Sequence, residues 1–178
     1  DEVKYFIKQR DGKPGNVFLG MLHRLDRPVS GIVLFAKTSK GAARLSEQIR
    51  NRTVQKVYHA LVEGKFKNKS GALVNYLWKD KEKNFVKVFD EPVDGALRAE
   101  LDYEVADGNV VKIKLKTGRP HQIRAQLAHI GHPIVGDVKY GSKTKYKDGQ
   151  IALCATEFSF ETATGGKEMV VKCNDCGF

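Results

Sequence analysis

Apolar residues recur along much of this chain with a period of two, the mark of half-buried strands. The clearest run, Ala96 to Ala106, places Leu97, Ala99, Leu101, Tyr103 and Val105 on one face and Arg98, Glu100, Asp102 and Glu104 on the other. Asp107-Gly108-Asn109 then reads as a hairpin turn into Val110 to Lys116, with Val111, Ile113 and Leu115 inward. Further strands are predicted over Val54 to Gly64, Asn84 to Phe89 and Ile151 to Phe160, with a last edge at Glu168 to Lys172. Gly31 to Ala36 is continuously apolar and predicts a strand buried on both faces. Helical spacing is confined to two stretches. Ser39, as N-cap, opens one running to about Arg52 with Ala42, Leu45 and Ile49 inward, and Pro120 opens another ending at Gly131. Asp1 to Lys13 fits a strand or a short helical turn. Meander-like pairing with few helices predicts an α+β fold, a mixed, largely antiparallel sheet with a few packed helices.

The 178 residues, 41% hydrophobic, suit one domain, residues 1–178. No apolar run reaches the length a bilayer requires, and the charged N-terminus does not resemble a signal peptide, so the expectation is a cytoplasmic protein with no membrane partner. The three cysteines, Cys154, Cys173 and Cys176, make an odd count and fit reduced thiols. Cys173 and Cys176 have CxxC spacing, but that supplies only half of a tetrahedral site.

Net charge is +10, and its distribution adds to its size. Residues 112 to 147 hold Lys112, Lys114, Lys116, Arg119, Arg124, Lys139, Lys143, Lys145 and Lys147 against Asp137 alone. Residues 20 to 60 are basic as well, which makes a polyanion the natural partner. A solvated lysine-rich surface accounts for the same counts.

Candidate chemistry falls inside those two basic blocks. His23-Arg24-Leu25-Asp26-Arg27-Pro28-Val29-Ser30-Gly31 sets one carboxylate among two arginines and a histidine, on a loop that Pro28 and Ser30-Gly31 constrain. An aspartate in that setting is either a reactive group or a solvated ion pair. Nearly a hundred residues on, Gly118-Arg119-Pro120-His121-Gln122-Ile123-Arg124 leads from a strand into a helix. It continues into Gly131-His132-Pro133-Ile134-Val135-Gly136-Asp137 and Tyr140-Gly141. Lys116, Arg119 and His121 at that helix start would attract phosphate.

With Lys56-Val57-Tyr58-His59-Ala60-Leu61-Val62-Glu63-Gly64 between them, these blocks resemble the signature blocks of the RluA-type pseudouridine synthases, in the same order and at matching separations. Val29 stands where Thr is common in that family and Gln126 where His is common. The resemblance implies the pseudouridine synthase catalytic fold, without the family's extra N-terminal strand region or an S4-type RNA-binding module. It also implies an isomerase that converts uridine to pseudouridine in structured RNA, rRNA or tRNA, on a flipped-out nucleotide and with no cofactor. Carried over residue by residue, the resemblance makes Asp26 the catalytic carboxylate, Tyr58 the tyrosine lying against the base, and Arg124 the arginine pairing with Asp26. It assigns His23, Arg24, Arg27, Lys56, Arg119, His121 and Gln122 to RNA, with Arg24 filling the space the base vacates. No metal and no obligate protein partner are expected, and the protein is expected to be a monomer. Two other readings remain at this point. One is a metal-dependent phosphodiesterase using His23, Asp26, His129, His132 and Asp137. The other is an RNA-binding module without catalysis.

Overall fold

A computed structural model describes residues 2–12, 14–147 and 149–178. The chain falls into two compact units. The smaller comprises residues 1–24, 33–54 and 159–170, and the larger residues 25–32, 55–158 and 171–178.

In the smaller unit, the undecided N-terminal stretch forms a helix, α1 (Glu2–Arg10), that buries Ile7. A short antiparallel pair follows, β1 (Gly20–Met21) against β3 (Phe35–Ala36). The second helix, α2 (Ser39–Arg50), starts one residue earlier in its cap than the sequence suggested, because the Thr38 hydroxyl accepts the Gly41 N–H at 3.0 Å. Leu45 on α2 is buried as predicted. The Gln48 amide is bonded both ways to the Glu161 backbone at 2.9 Å, which ties α2 to the final strand region.

The larger unit carries most of a sheet whose strand order is β10-β9-β4-β8-β7-β5-β6. Its strands are β2 (Ser30–Gly31), β4 (Gln55–Leu61), β5 (Ser70–Asp80), β6 (Phe85–Phe89), β7 (Leu97–Val105), β8 (Val110–Leu115), β9 (Leu153–Glu161) and β10 (Glu168–Lys172), the last two running on into the smaller unit. All the registered pairs from β4 to β8 are antiparallel, and β2 adds to β9 in parallel. The α+β expectation of a mixed, largely antiparallel sheet is met. The third helix, α3 (Gln122–His129), is buried around most of its circumference rather than on one stripe. Gly131, at φ +86°, ends it in a Schellman motif, its N–H reaching Ala128 O at 3.0 Å and that of His132 reaching Leu127 O at 2.9 Å.

Four local expectations change. The apolar run Gly31 to Ala36 is not one strand but the end of β2 and the whole of β3, with Ile32 to Leu34 half-buried between them. Gly31 explains the break: at φ +112° it lies so close to β9 that a Cβ would stand 2.3 Å from Ala155 O. Leu97, read as inward, is 53% exposed at the start of β7. Residues 151–156 are buried without alternation, the pattern of a strand covered on both faces. The helix after Pro120 begins only at Gln122, since His121 adopts the left-handed conformation at φ +49°.

Candidate active site

Asp26 sits on a loop strapped to the beginning of β9. Its carbonyl accepts the Val29 N–H at 2.9 Å, and Pro28 O accepts the Ile151 N–H at 3.0 Å. Ile32 N–H reaches Ala155 O at 2.9 Å, and Ser30 Oγ donates to Leu153 O at 3.3 Å. These bonds fix the backbone but leave the Asp26 side chain 29% exposed, so the carboxylate is held yet reachable.

Arg124 meets Asp26 from α3, with Nη1 3.2 Å from Oδ2. Its main grip lies elsewhere. Nε and Nη2 form a fork on Asp137, at 2.7 Å to Oδ2 and 2.9 Å to Oδ1, and the two side chains are 6% and 2% exposed. Burial alone would lower the arginine's pKa, but bonding to Asp137, and then to Asp26, leaves it raised, so the guanidinium stays charged. The Tyr140 ring lies beneath it, 5.0 Å from centroid to guanidinium carbon. The Tyr140 hydroxyl accepts the Val86 N–H at 3.0 Å and is hydrogen-bonded to His121 Nδ1 at 2.8 Å. His121 is buried, and burial first, with help from Arg124, lowers its pKa against the pull of Asp26. A left-handed residue beside a buried ion pair is a place where backbone strain can be stored, about 1–3 kcal/mol. Histidine is among the residues that tolerate it best.

Tyr58 on β4 is 8% exposed, with its pKa pushed up to about 12 by burial and then by the charge of Asp26. The larger unit therefore brings together Asp26, Tyr58, Arg124 and His121. Other residues from the sequence reading are placed differently. Gln122 is buried, its Oε1 accepting the Thr117 hydroxyl at 2.8 Å and the Arg119 N–H at 3.0 Å, and its Nε2 donating to Glu100 O. That amide shapes the turn before α3. Arg119 donates from Nε to Arg98 O at 3.0 Å. Lys56 is half-buried, and burial holds its pKa below the ordinary lysine range. Arg27 is exposed. His23 and Arg24 belong to the smaller unit, where His23 Nε2 accepts the Leu34 N–H at 3.0 Å and Arg24 is exposed.

Asp137 and Tyr140 carry the arrangement; both fall within the block that resembles the family's signature, although from sequence Asp137 is singled out only as a possible metal ligand and Tyr140 has no individual role. The available signal was charge: Asp137 is the single acid in a basic block and lies 13 residues from Arg124. The metal-ligand set is not gathered. Asp137 faces Arg124, His129 Nε2 lies 3.0 Å from Asp90, and His132 Nδ1 is hydrogen-bonded to Glu63 O at 3.0 Å. Among the described residues no three His, Cys, Asp or Glu side chains form a metal-binding group. Gln126 is fully buried, donating from Nε2 to Asn75 Oδ1 at 2.8 Å.

The RNA pseudouridylate synthase family matches residues 1–129, which include Asp26, Tyr58 and Arg124. The chain belongs to that family. Ribosomal large subunit pseudouridine synthase C of Buchnera aphidicola subsp. Schizaphis graminum is 34% identical over 94% of this chain and 55% of its own length. The protein of the same name from Haemophilus influenzae is 37% identical over 74% of this chain and 42% of its own. The chain thus spans about half the length of the curated relatives it matches. In fold, human RNA pseudouridylate synthase domain containing 4 superposes with a TM-score of 0.79 at 20% identity, over 96% of this chain and 76% of that one. Human RNA pseudouridylate synthase domain containing 1 gives a TM-score of 0.76 at 23% identity, over 97% and 74%. The pseudouridine synthase fold is therefore shared, and the RluA-type resemblance agrees with the family match. No helix among the described residues is long and apolar enough to cross a membrane.

Proposed function

We propose that this chain isomerises uridine to pseudouridine in RNA, with Asp26 as the reacting carboxylate. The observation that carries the reading is the Asp26–Arg124 contact at 3.2 Å, in a chain of this family. In the reaction the bond between C1′ and N1 breaks, the uracil turns, and a bond forms between C1′ and C5. The C5 proton leaves and N1 gains one, so the overall change is redox-neutral and no cofactor is required. An ionised Asp26 either attacks the base or sugar as nucleophile or stabilises a cationic sugar. A flipped base closing over it would raise the cost of that charge, and Arg124, held charged by Asp137, offsets the cost. Tyr58 enters as a phenol at neutral pH, since its pKa is pushed up to about 12. It can take the C5 proton only while passing on its own, and Asp26 is the charged neighbour felt at that hydroxyl.

Arg24, exposed and two positions before Asp26 in the chain, fills the space left by the flipped nucleotide. Arg27, Lys56 and Arg119 contact the phosphates, whereas Gln122 and His121 act by shaping the site. The relatives' names direct the substrate toward large-subunit rRNA, with tRNA the second choice. The protein acts as a cytoplasmic monomer and needs no protein partner.

The test is mass-spectrometric mapping of large-subunit rRNA transcribed in vitro and incubated with purified protein. The expected result is pseudouridine at defined uridines with the parent, and loss of more than about 10³-fold in rate with Asp26→Asn while RNA is still bound. Comparable product from Asp26→Asn would overturn the assignment.

A further inference from the structure

Across Tyr140 from this chemistry lies a second feature. A mostly apolar groove of about 400 Å³ lies between β6 and α3, lined by Phe85, Phe89, Ala128 and Tyr140, with Lys87 and Lys139 also on its walls. Phe85 and Tyr140 are stacked, centroids 4.8 Å apart and planes 20° from parallel. Tyr140 cannot move freely, because its hydroxyl is bonded to both Val86 and His121. The aromatic wall is therefore preorganised.

Two further observations indicate what it takes. Lys87 and Lys139 are exposed, and among the described residues neither is in an ion pair, in contrast to Lys116. The neighbouring carboxylate, Asp90, is already held by Asn75 and His129. Lys87 also lies over the Trp78 ring at 5.6 Å, so an apolar slot edged by two exposed ammonium groups outside any described ion pair complements a flat ring carried on a phosphate backbone. The Tyr140 ring is also the surface on which Arg124 rests, and Arg124 bonds Asp26. The groove and the reacting carboxylate thus share a wall.

We propose that the groove between β6 and α3 holds an unpaired nucleobase of the same RNA strand that presents the target uridine, stacked on Phe85, which Tyr140 backs from the other face, with Lys87 and Lys139 on its phosphates. This rests on the RNA reading above and deepens it. Nucleotides near the target are engaged by stacking, which is tolerant of sequence, so the subsite selects for single-stranded context rather than for a particular base.

The probe is a single-stranded oligouridylate carrying one 2-aminopurine, whose fluorescence falls on stacking. Titrated with the parent protein it should be quenched at saturation. Ala128→Leu fills the groove and leaves Asp26, Tyr58 and Arg124 in place. It should abolish the quenching and weaken binding roughly tenfold. The double substitution Lys87→Ala and Lys139→Ala, on exposed positions that spare the core, should weaken binding and flatten its salt dependence by about two units of slope. Parent-level quenching and affinity in Ala128→Leu would overturn the inference and leave the isomerisation proposal standing, as would an unchanged salt slope in the double variant. Oligouridylate that saturates the parent without quenching would also overturn it, and would assign the groove to an apolar protein segment. Failure of the parent to bind either oligouridylate or rRNA would instead remove the RNA reading on which both proposals depend.

Discussion

Arg124 and Lys116 each stand between two carboxylates. Arg124 lies 2.7 Å from Asp137 and 3.2 Å from Asp26. Lys116 lies 2.7 Å from Asp102 and 3.2 Å from Glu100. The distances are the same; the surroundings are not. The arginine side chain is 6% exposed and the lysine 47%. Water competes for every bond of the lysine cluster, so its order contributes little. Around Arg124 water is nearly absent, and a charge left without its partner cannot be resolvated. Burial, more than pairing, separates a chemical site from a solvated surface.

Breaking each cluster in turn puts that contrast to the test. Asp137→Ala leaves the buried guanidinium without its fork and should destabilise the protein by about 3–5 kcal/mol, read from the midpoint of chemical denaturation. A loss near zero would mean that Asp26 and Tyr140 hold Arg124 unaided, and the contrast would collapse.

Tyr58→Phe probes the open side of Asp26. Turnover should drop about 10²-fold while RNA affinity stays at the parent's value. Because burial and Asp26 push the Tyr58 hydroxyl up to about 12, it stays protonated across the ordinary tyrosine range. The parent's rate should therefore show no step near pH 10, the unperturbed tyrosine value. A step there that disappears in Tyr58→Phe would show that the phenolate is reached more easily than its burial implies.

The smallest effect belongs to the exposed cluster. Lys116→Ala should leave the melting temperature indistinguishable from the parent's at moderate salt. A clear drop in melting temperature would place Lys116 with Arg124 as a structural cation.

How far these features could be read in advance depends on the distance over which each is decided. The strand predicted over Val54 to Gly64 is found as β4, with Tyr58, Ala60 and Val62 buried, because a strand's pattern is decided by neighbours in the chain. The Asp26–Arg124 contact spans 98 positions, and only the resemblance, not any local pattern, joined them. The role of Asp137 comes from the fold, since a lone acid in a basic stretch looks like a solvated charge until it is buried against Arg124. The converse error concerns lysine. Lys112 and Lys114 seem to build a basic strip, but in the sheet they face Glu104 and Asp102 on β7. Charge dense along the chain is thus partly neutralised across it. The Gly31 to Ala36 run failed for a related reason: composition showed that it was apolar, while the approach of Gly31 to Ala155 decided where it broke.

That approach also sets an order in time. The loop bearing Asp26 precedes the backbone groups that pin it, from Ile151 to Ala155, by more than a hundred residues, as the 123-residue span between Ser30 and Leu153 measures. A contact of such long range forms only after its loop has closed, so it belongs to the late stages of folding. A nascent chain carries its aspartate for more than a hundred residues of synthesis without the strand that positions it. The backbone frame around Asp26 is therefore complete only once β9 has been made.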